Sequence, residues 1–336
     1  MLLYYLTGYP PRGGTGGGDL ANSMLMRIGE QEGYSVEVYS SEEEVPKSKP
    51  DAYWLSNMNG KFTLDFFQDT IGTLPYVIHD DGYQNLCPQP TREYKLCFQE
   101  QVPYDTIELD IEKNTPLYNC REICRYKLME ALAYGCRASI CVSPMHGRIW
   151  SGIFPVLRDK TIIVEPQIPV TKFNIPLNNQ KVPNSYVYIG TIARGKGFDN
   201  AVAFVRARGG DMYAAGDIHH TINMSEYKDV HYLGSVSYEL VPTLLARMMY
   251  LIHLPDFPES QGRGITEALL MGCTIIGNRR VGALSYPWLS DYVTLENHEV
   301  PEGDVILGGV KDMAGFRERI YQAPYKFWKD LGEVIG

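Results

Sequence analysis

Two glutamates, Glu259 and Glu267, stand eight positions apart in "PESQGRGITEALLMG", with Gly262 and Gly264 between them and an apolar helical pattern from Ile265. A carboxylate facing vicinal hydroxyls accepts two hydrogen bonds from them, each worth about 1.5–3 kcal/mol when sheltered from water. Paired in this way, the two acids suit a ligand that carries a hydroxylated ring on each side of a diphosphate. Taken alone, the residues leave a plainer reading open. Glu267 then serves as an acid near a helix start, where it favours the helix dipole, and Glu259 is a solvated loop residue.

A diphosphate needs cations and free amides, and "IGTIARGKGFD" at 189–199 offers both. There a strand runs into a glycine turn and then a helix, with Arg194 and Lys196 beside the helix start. Solvated loop charge is the equal alternative for those two side chains. A third glycine-rich turn, "PPRGGTGGGD" at 10–19, contains Gly16 and Gly17. It reaches the G-x-G-x-x-G spacing only because it is glycine-rich throughout, and it lacks the lysine and hydroxyl of a phosphate-binding P-loop. A loop without a ligand stays open for it.

Such turns work when strands hold them in register. The first third alternates short apolar strands with helical patterns: "LLYYLT", a helix from about Asp19 to Gln31, "SVEVYS", "AYWL", a helix near 61–71 and "PYVIH". Strand, helix, strand repeated predicts a parallel sheet covered on both faces, with ligands beyond the carboxyl ends of its strands. Residues 82–120, with four prolines, read as an inserted loop region before a helix near 121–135 and the strands "ASICVS" and "TIIVEP". The proline-rich run from Pro166 to Pro183 predicts a connection between domains. A second alternating series follows, from "SYVYIG" to "CTIIG". The last segment, 316–336, reads as a helix broken near Pro324 that packs back on the first domain through Tyr321, Phe327 and Trp328. The expected domains are thus 1–168 and 184–315, an α/β architecture of two Rossmann-like halves facing each other across a cleft.

Composition bounds the function. A length of 336 residues, 44% apolar and 21% charged, fits two soluble domains and contains no run long enough to span a membrane. The opening "MLLYYL" has no basic leader and is too short for a signal core, so cytoplasmic residence is the expectation. Residues 1–165 carry 15 basic and 22 acidic side chains and 166–336 carry 16 and 18, a bias that argues against a nucleic-acid partner. Seven cysteines are an odd and sparse set. Cys87, Cys97, Cys120 and Cys124 offer four thiols for zinc, but their spacing matches no strong zinc signature, so no metal is expected.

With these residues quoted, a resemblance becomes specific. "YVYIGTIARGKGFDNAV" followed by "VHYLGSVSYELVPTLLARMMYLIHLPDFPESQGRGITEALLMGCTIIGNRRVGA" resembles the donor half of retaining glycosyltransferases of family 4, which have the GT-B fold. "GGGDLANSMLMRIGEQEGYSVEV", "PYVIHDD", "CVSPMHGRIWSGIF" and "IIVEPQIPVTKFN" are similar to the corresponding stretches of the first half, so the likeness covers most of residues 1–285. The resemblance implies a nucleoside diphosphate sugar as co-substrate and a carbohydrate or other hydroxyl acceptor, with no further cofactor and no divalent metal. It also implies transfer with retention of anomeric configuration. Lys196, with Arg194 nearby, would grip the diphosphate, and Glu267 the nucleotide ribose. Glu259 would meet hydroxyls of the moving sugar, helped by the amides of Ser260, Gln261 and Gly262. Gly16 and Gly17 would close over the diphosphate, and His79 would line the acceptor side near the anomeric carbon.

Two departures bear on the donor. Thr191 stands where the family usually has arginine, which leaves Arg194 to supply that charge or the grip weaker. Gln261 replaces the usual phenylalanine, with Arg263 two positions on, which opens the sugar preference. A sugar-nucleotide epimerase or hydrolase of the same fold, and a binding protein that has lost turnover, are the alternatives. The aromatic residues Tyr83, Tyr94, Phe98 and Tyr104 suit a core better than a sugar platform. A lipid-linked acceptor, with peripheral membrane contact, remains compatible with the sequence.

Overall fold

The computed structural model describes residues 1–8, 17–57, 62–67, 69, 72, 74–83, 126–175, 181–220, 222–300 and 303–336. Cys87, Cys97, Cys120, Cys124, Tyr94, Phe98, Tyr104 and Gly16 lie outside the described residues. The chain divides into two compact units, Met1–Glu165 with Pro324–Gly336, and Pro166–Ala323. Residues 166–175 and 181–183 of the expected connection therefore belong to the second unit, and β7 already begins at Val182.

In the first unit β1 (Leu2–Thr7), β2 (Ser35–Tyr39), β3 (Ala52–Ser56), β4 (Tyr76–Asp80), β5 (Ala138–Cys141) and β6 (Thr161–Ile163) form one sheet, in the order β2-β1-β3-β4-β5-β6. Every pairing is parallel. β3, β4 and β5 are buried along their whole length, as a sheet covered on both faces requires. Alternate residues feed separate cores: Tyr4, Leu6, Tyr53 and Trp150 on one side, Leu3, Tyr5, Trp54 and Trp328 on the other.

The helices of this unit are α1 (Gly17–Gln31), the single turn α2 (Leu64–Phe66), α3 (Tyr126–Gly135) and α4 (Pro144–Ile153). Sequence periodicity does not single out α4, yet its start is marked. Ser143 accepts from the His146 amide at 3.1 Å, and Pro144 fills the first turn, where its missing N–H costs nothing.

The second unit contains β7 (Val182–Ile189), α5 (Phe198–Arg208), β8 (Asp211–Ala215), β9 (Val230–Tyr232), α6 (Val241–Arg247), β10 (Met248–His253), α7 (Arg263–Leu270) and β11 (Thr274–Gly277). The short α8 (Leu289–Tyr292) and the strands β12 (Val293–Val300) and β13 (Gly303–Val310) follow. The sheet order is β12-β13-β11-β10-β7-β8-β9. From β7 to β11 all pairings are parallel, while β13 joins β11 and β12 antiparallel. This antiparallel edge departs from the purely parallel sheet that the alternation predicts. Two residues separate β12 from β13, which leaves no length for the crossover helix that parallel strands need.

The last helix, α9 (Met313–Ile335), runs unbroken through Pro324, which corrects the expected break. Packing on both sides of the proline holds the helix. Phe316 and Ile320 precede it and Phe327, Trp328 and Leu331 follow, all 2% exposed or less. The boundary between the units falls at this proline. The last turns dock on α1: Trp328 donates its indole N–H to the Leu25 carbonyl at 2.7 Å, and a Cβ on Gly29 would lie 2.2 Å from its ring.

Candidate functional site

In the second unit successive strands run one way from β7 to β8 and β9, and the other way to β10 and β11. The order reverses between β7 and β10, the kind of switch point at which sheets of this class bind ligands. Lys196 is on the loop after β7 and Glu259 on the loop after β10. The structure brings them together, with Lys196 Nζ 2.5 Å from Glu259 Oε2.

The lysine loop is held by its glycines and by the end of β10. Gly197 has φ +78°, and a Cβ there would lie 1.9 Å from the Leu254 carbonyl oxygen, so only glycine fits. The Asp256 amide donates to the Gly195 carbonyl at 3.1 Å, and Asn200 donates to the Leu254 carbonyl at 3.0 Å. The Tyr188 hydroxyl is within donating distance of the Thr191 and Lys196 carbonyls, at 3.0 and 3.2 Å. Lys196 Nζ also lies 4.9 Å from the centre of the Phe257 ring. Arg194 goes elsewhere: its side chain is 59% exposed and faces Asp199 at 3.5 Å. Thr191 is exposed too.

The glutamate loop is clamped by the turn "NRRVGA". The Glu259 amide donates to the Arg280 carbonyl at 2.7 Å, Gly282 returns a bond to the Glu259 carbonyl at 2.9 Å, and Ala283 donates to the Gln261 carbonyl. Gly262 caps α7 with φ +75°, where a Cβ would meet Val281 Cγ1 at 2.6 Å. The Glu259 side chain is 16% exposed, which removes the solvated-loop reading. Burial alone would raise its pKa, but Lys196 and His253 outweigh burial and leave it below the ordinary value. His253, with Nε2 3.9 Å from Glu259, is pushed by burial down to about 4 and is neutral at pH 7. Ser260 is buried, and Gln261 is half-buried beside it.

Glu267 is the fifth residue of α7, because the helix starts at Arg263 and not at Gly264. It is therefore not a first-turn acid. It is 5% exposed, and its Oε1 accepts from Arg263 Nε at 2.7 Å and from the Tyr238 hydroxyl at 2.9 Å.

In the first unit His79 is the last residue but one of β4, at 1% exposure, with the Trp54 ring stacked at 5.6 Å and Asp81 Oδ1 3.2 Å from its Nε2. Asp81 Oδ2 accepts from Asn22 at 2.7 Å and Asn57 at 3.0 Å. Burial would raise the Asp81 pKa, but His79 and the two amides hold it below the usual value. Gly17 opens α1 in an exposed position, and a Cβ on the next residue, Gly18, would lie 3.2 Å from Asp81 Oδ2. Tyr83 is buried, edge-on to His146 at 5.0 Å, and is core as expected.

Sequence reasoning missed several partners. The Arg263 to Glu267 spacing of four on a helix is a legible ion-pair signal. Asp81 stands in the quoted "HDD". Nothing local marks Tyr238, His253, Asn22 or Asn57, which long-range folding delivers. Among the described residues no cluster of His, Cys, Asp and Glu is arranged to hold a metal ion, and the described Cys136, Cys141 and Cys273 are buried free thiols.

A site with an ammonium, a helix start and a buried carboxylate at a switch point can take a phosphorylated, hydroxylated ligand. The ammonium has three N–H donors, of which Glu259 takes one, leaving two directions for phosphate oxygens. No family model and no curated protein matches this chain. Solved structures do. HepE of Anabaena, crystallised with UDP and glucose, is 14% identical with a TM-score of 0.54, over 84% of this chain and 82% of its own. AviGT4, a glycosyltransferase of avilamycin A biosynthesis, is 12% identical with a TM-score of 0.55, over 100% of this chain and 93% of its own. Sucrose-phosphate synthase of Thermosynechococcus elongatus is 13% identical with a TM-score of 0.52, over 84% and 82%. At such identities the likeness shows the fold: two Rossmann-like α/β domains of the GT-B type. Among the described residues no helix is long and apolar enough to cross a membrane.

Proposed function

We propose that this protein is a retaining glycosyltransferase of family 4 type, moving a sugar from a nucleoside diphosphate donor to an acceptor hydroxyl. The observation that carries this reading is the meeting of Lys196 and Glu259 at the switch point of the second unit. The solved structures of like fold support it, since AviGT4 is a glycosyltransferase and HepE has been crystallised with UDP and with UDP-glucose.

On this reading Lys196 and the start of α7 hold the diphosphate, whose charge grows as the bond from the anomeric carbon to the phosphate oxygen breaks. Fixed donors aimed at that oxygen lower the barrier in place of a metal ion. Glu259, kept ionised by Lys196, accepts hydrogen bonds from the sugar hydroxyls, and Glu267 accepts one from the ribose. Arg194 stays outside this grip, its exposed side chain turned to Asp199. The acceptor oxygen bonds to the anomeric carbon on the face the phosphate leaves, and its proton passes to the departing phosphate oxygen. His79 is assigned to the acceptor side. The half-buried Asp81 beside it fixes which way the ring faces. The acceptor is a carbohydrate or another hydroxyl compound, reached in the cytoplasm or at a membrane surface.

Incubation with UDP-, GDP- and ADP-sugars and a panel of glycan acceptors, read by proton NMR at the anomeric position, tests this. Transfer with the donor's anomeric configuration is expected. Donor conversion without acceptor would assign an epimerase or hydrolase. Binding without turnover of any kind would assign a binding protein.

A further inference from the structure

Arg263, Glu267 and Tyr238 form a closed triangle inside the second unit. Arg263 Nε donates to Glu267 Oε1 at 2.7 Å, the Tyr238 hydroxyl donates to the same oxygen at 2.9 Å, and Arg263 Nη2 donates to the Tyr238 oxygen at 2.6 Å. The arginine and glutamate side chains are 8% and 6% exposed. The guanidinium carbon also lies 5.0 Å from the centre of the Tyr238 ring, and Phe173 and Lys172 border that ring at 6.1 and 5.6 Å.

An apolar residue at position 263 would fill this face of α7 without the desolvation a buried guanidinium suffers, so stability alone is a poor reason for the pair. The bonds have a directional consequence. Both fall on Oε1, so that oxygen is engaged within the unit and Oε2 is the one left to accept from a ligand. A carboxylate free to rotate presents either oxygen, or both, to a diol. This one, with Oε1 engaged, has a single oxygen to offer.

We propose that Arg263 and Tyr238 are positioning residues that set the Glu267 carboxylate for one ribose hydroxyl, and so set the discrimination between ribose and deoxyribose in the nucleotide. The inference rests on the reading of Glu267 as the ribose contact. A buried acceptor aimed at one hydroxyl is left unpaired when that hydroxyl is missing, and such sites reject the deoxy analogue strongly.

Calorimetric titration tests this, using whichever of UDP, GDP and ADP binds the parent, and the 2′-deoxy form of the same nucleotide. The parent is expected to prefer the ribose form about tenfold, the worth of one charge-assisted bond. Arg263→Leu is expected to bring the ratio close to one, Tyr238→Phe to an intermediate value, and Arg263→Lys to restore part of the preference. Inorganic pyrophosphate should compete equally well with all of them. A folded Arg263→Leu that keeps the parent's ratio overturns the proposal, as does a parent without preference. Should Arg263→Leu fail to fold, Tyr238→Phe decides in the same way. Glu267→Gln separates the two claims: loss of preference there with retention in the Arg263 variants sinks the positioning role alone, while retention in Glu267→Gln sinks the ribose reading beneath it.

Discussion

Glu259 stays ionised against its own burial, which ties its contribution to pH. Its folded-state pKa is lowered, with burial opposing and Lys196 and His253 prevailing, so its stabilisation is complete above the ordinary value of 4.5. That stabilisation fades as the pH falls through the lower folded value. Lys196→Met should therefore cost about 1–3 kcal/mol at pH 7 and progressively less in acid, measured by urea unfolding at several pH values. A cost that does not change with pH would detach the lysine from Glu259. Two histidines, the buried His146 and the half-buried His253, act in a second window. His253 is pushed down to about 4 and His146 to about 3, in both cases chiefly by burial, from 6.5. Each binds a proton in the unfolded chain but not in the folded one, so stability falls on acidification below 6.5, by about 1.4 kcal/mol per pH unit per histidine. Gln at either position should flatten the slope of stability against pH between 6 and 5, an interval of about one unit. Gly197→Ala is a third residue-scale case. With φ +78° and a carbonyl oxygen 1.9 Å from the added Cβ, the loop must move, and both stability and nucleotide binding should fall.

At the scale of elements, Lys181 shows what periodicity cannot reveal. Its Nζ donates to the Met248 carbonyl at 2.7 Å, the Met271 carbonyl at 3.2 Å and the Leu245 carbonyl at 3.4 Å, closing the ends of α6 and α7. Lys181→Met should lower stability by about 1.5–3 kcal/mol, read by chemical unfolding, while leaving the Lys196 loop intact. The last turns of α9 are the corresponding fixture of the first unit. Trp328→Ala should cost about 3–5 kcal/mol by the same measurement, through the cavity opened against Gly29 and Trp54. These contacts join residues far apart in the chain, so no local pattern announces them. The strands and helices that carry the site were legible, because apolar alternation and glycine turns are local properties. β7 starts three residues before the quoted "SYVYIG" and ends one residue before its last glycine. α4 was not legible, because its signal is a serine cap and a proline, which also mark ordinary turns. β12 and β13 lie beyond the residues that carry the resemblance and were missed. The helix through Pro324 was misread because proline disfavours a helix interior by about 3 kcal/mol, an amount that packing on either side can outweigh.

Over the whole molecule, the sequence order explains why the candidate site in the second unit could be foreseen at all. Lys196 and Glu259 are 63 residues apart, yet the strand order sets β7 and β10 side by side, so the loops at their carboxyl ends are neighbours. What could not be foreseen is how each charge is shared: Arg194 pairs outward with Asp199, and Glu267 is engaged by Arg263 and Tyr238. The first unit assembles its own group of His79, Asp81, Asn22 and Asn57 from α1 and two strand ends, of which only the histidine was expected. The central claim is that the Lys196 and Glu259 pair grips a nucleoside diphosphate sugar. Calorimetric titration of UDP, GDP, ADP and their sugars into the parent, Lys196→Met and Glu259→Gln tests it most directly. One nucleotide series should bind the parent. Lys196→Met should weaken the diphosphate about tenfold or more, and Glu259→Gln should remove the extra affinity of the sugar form over the bare diphosphate. A parent that binds none of them, or variants that bind as the parent does, would contradict it.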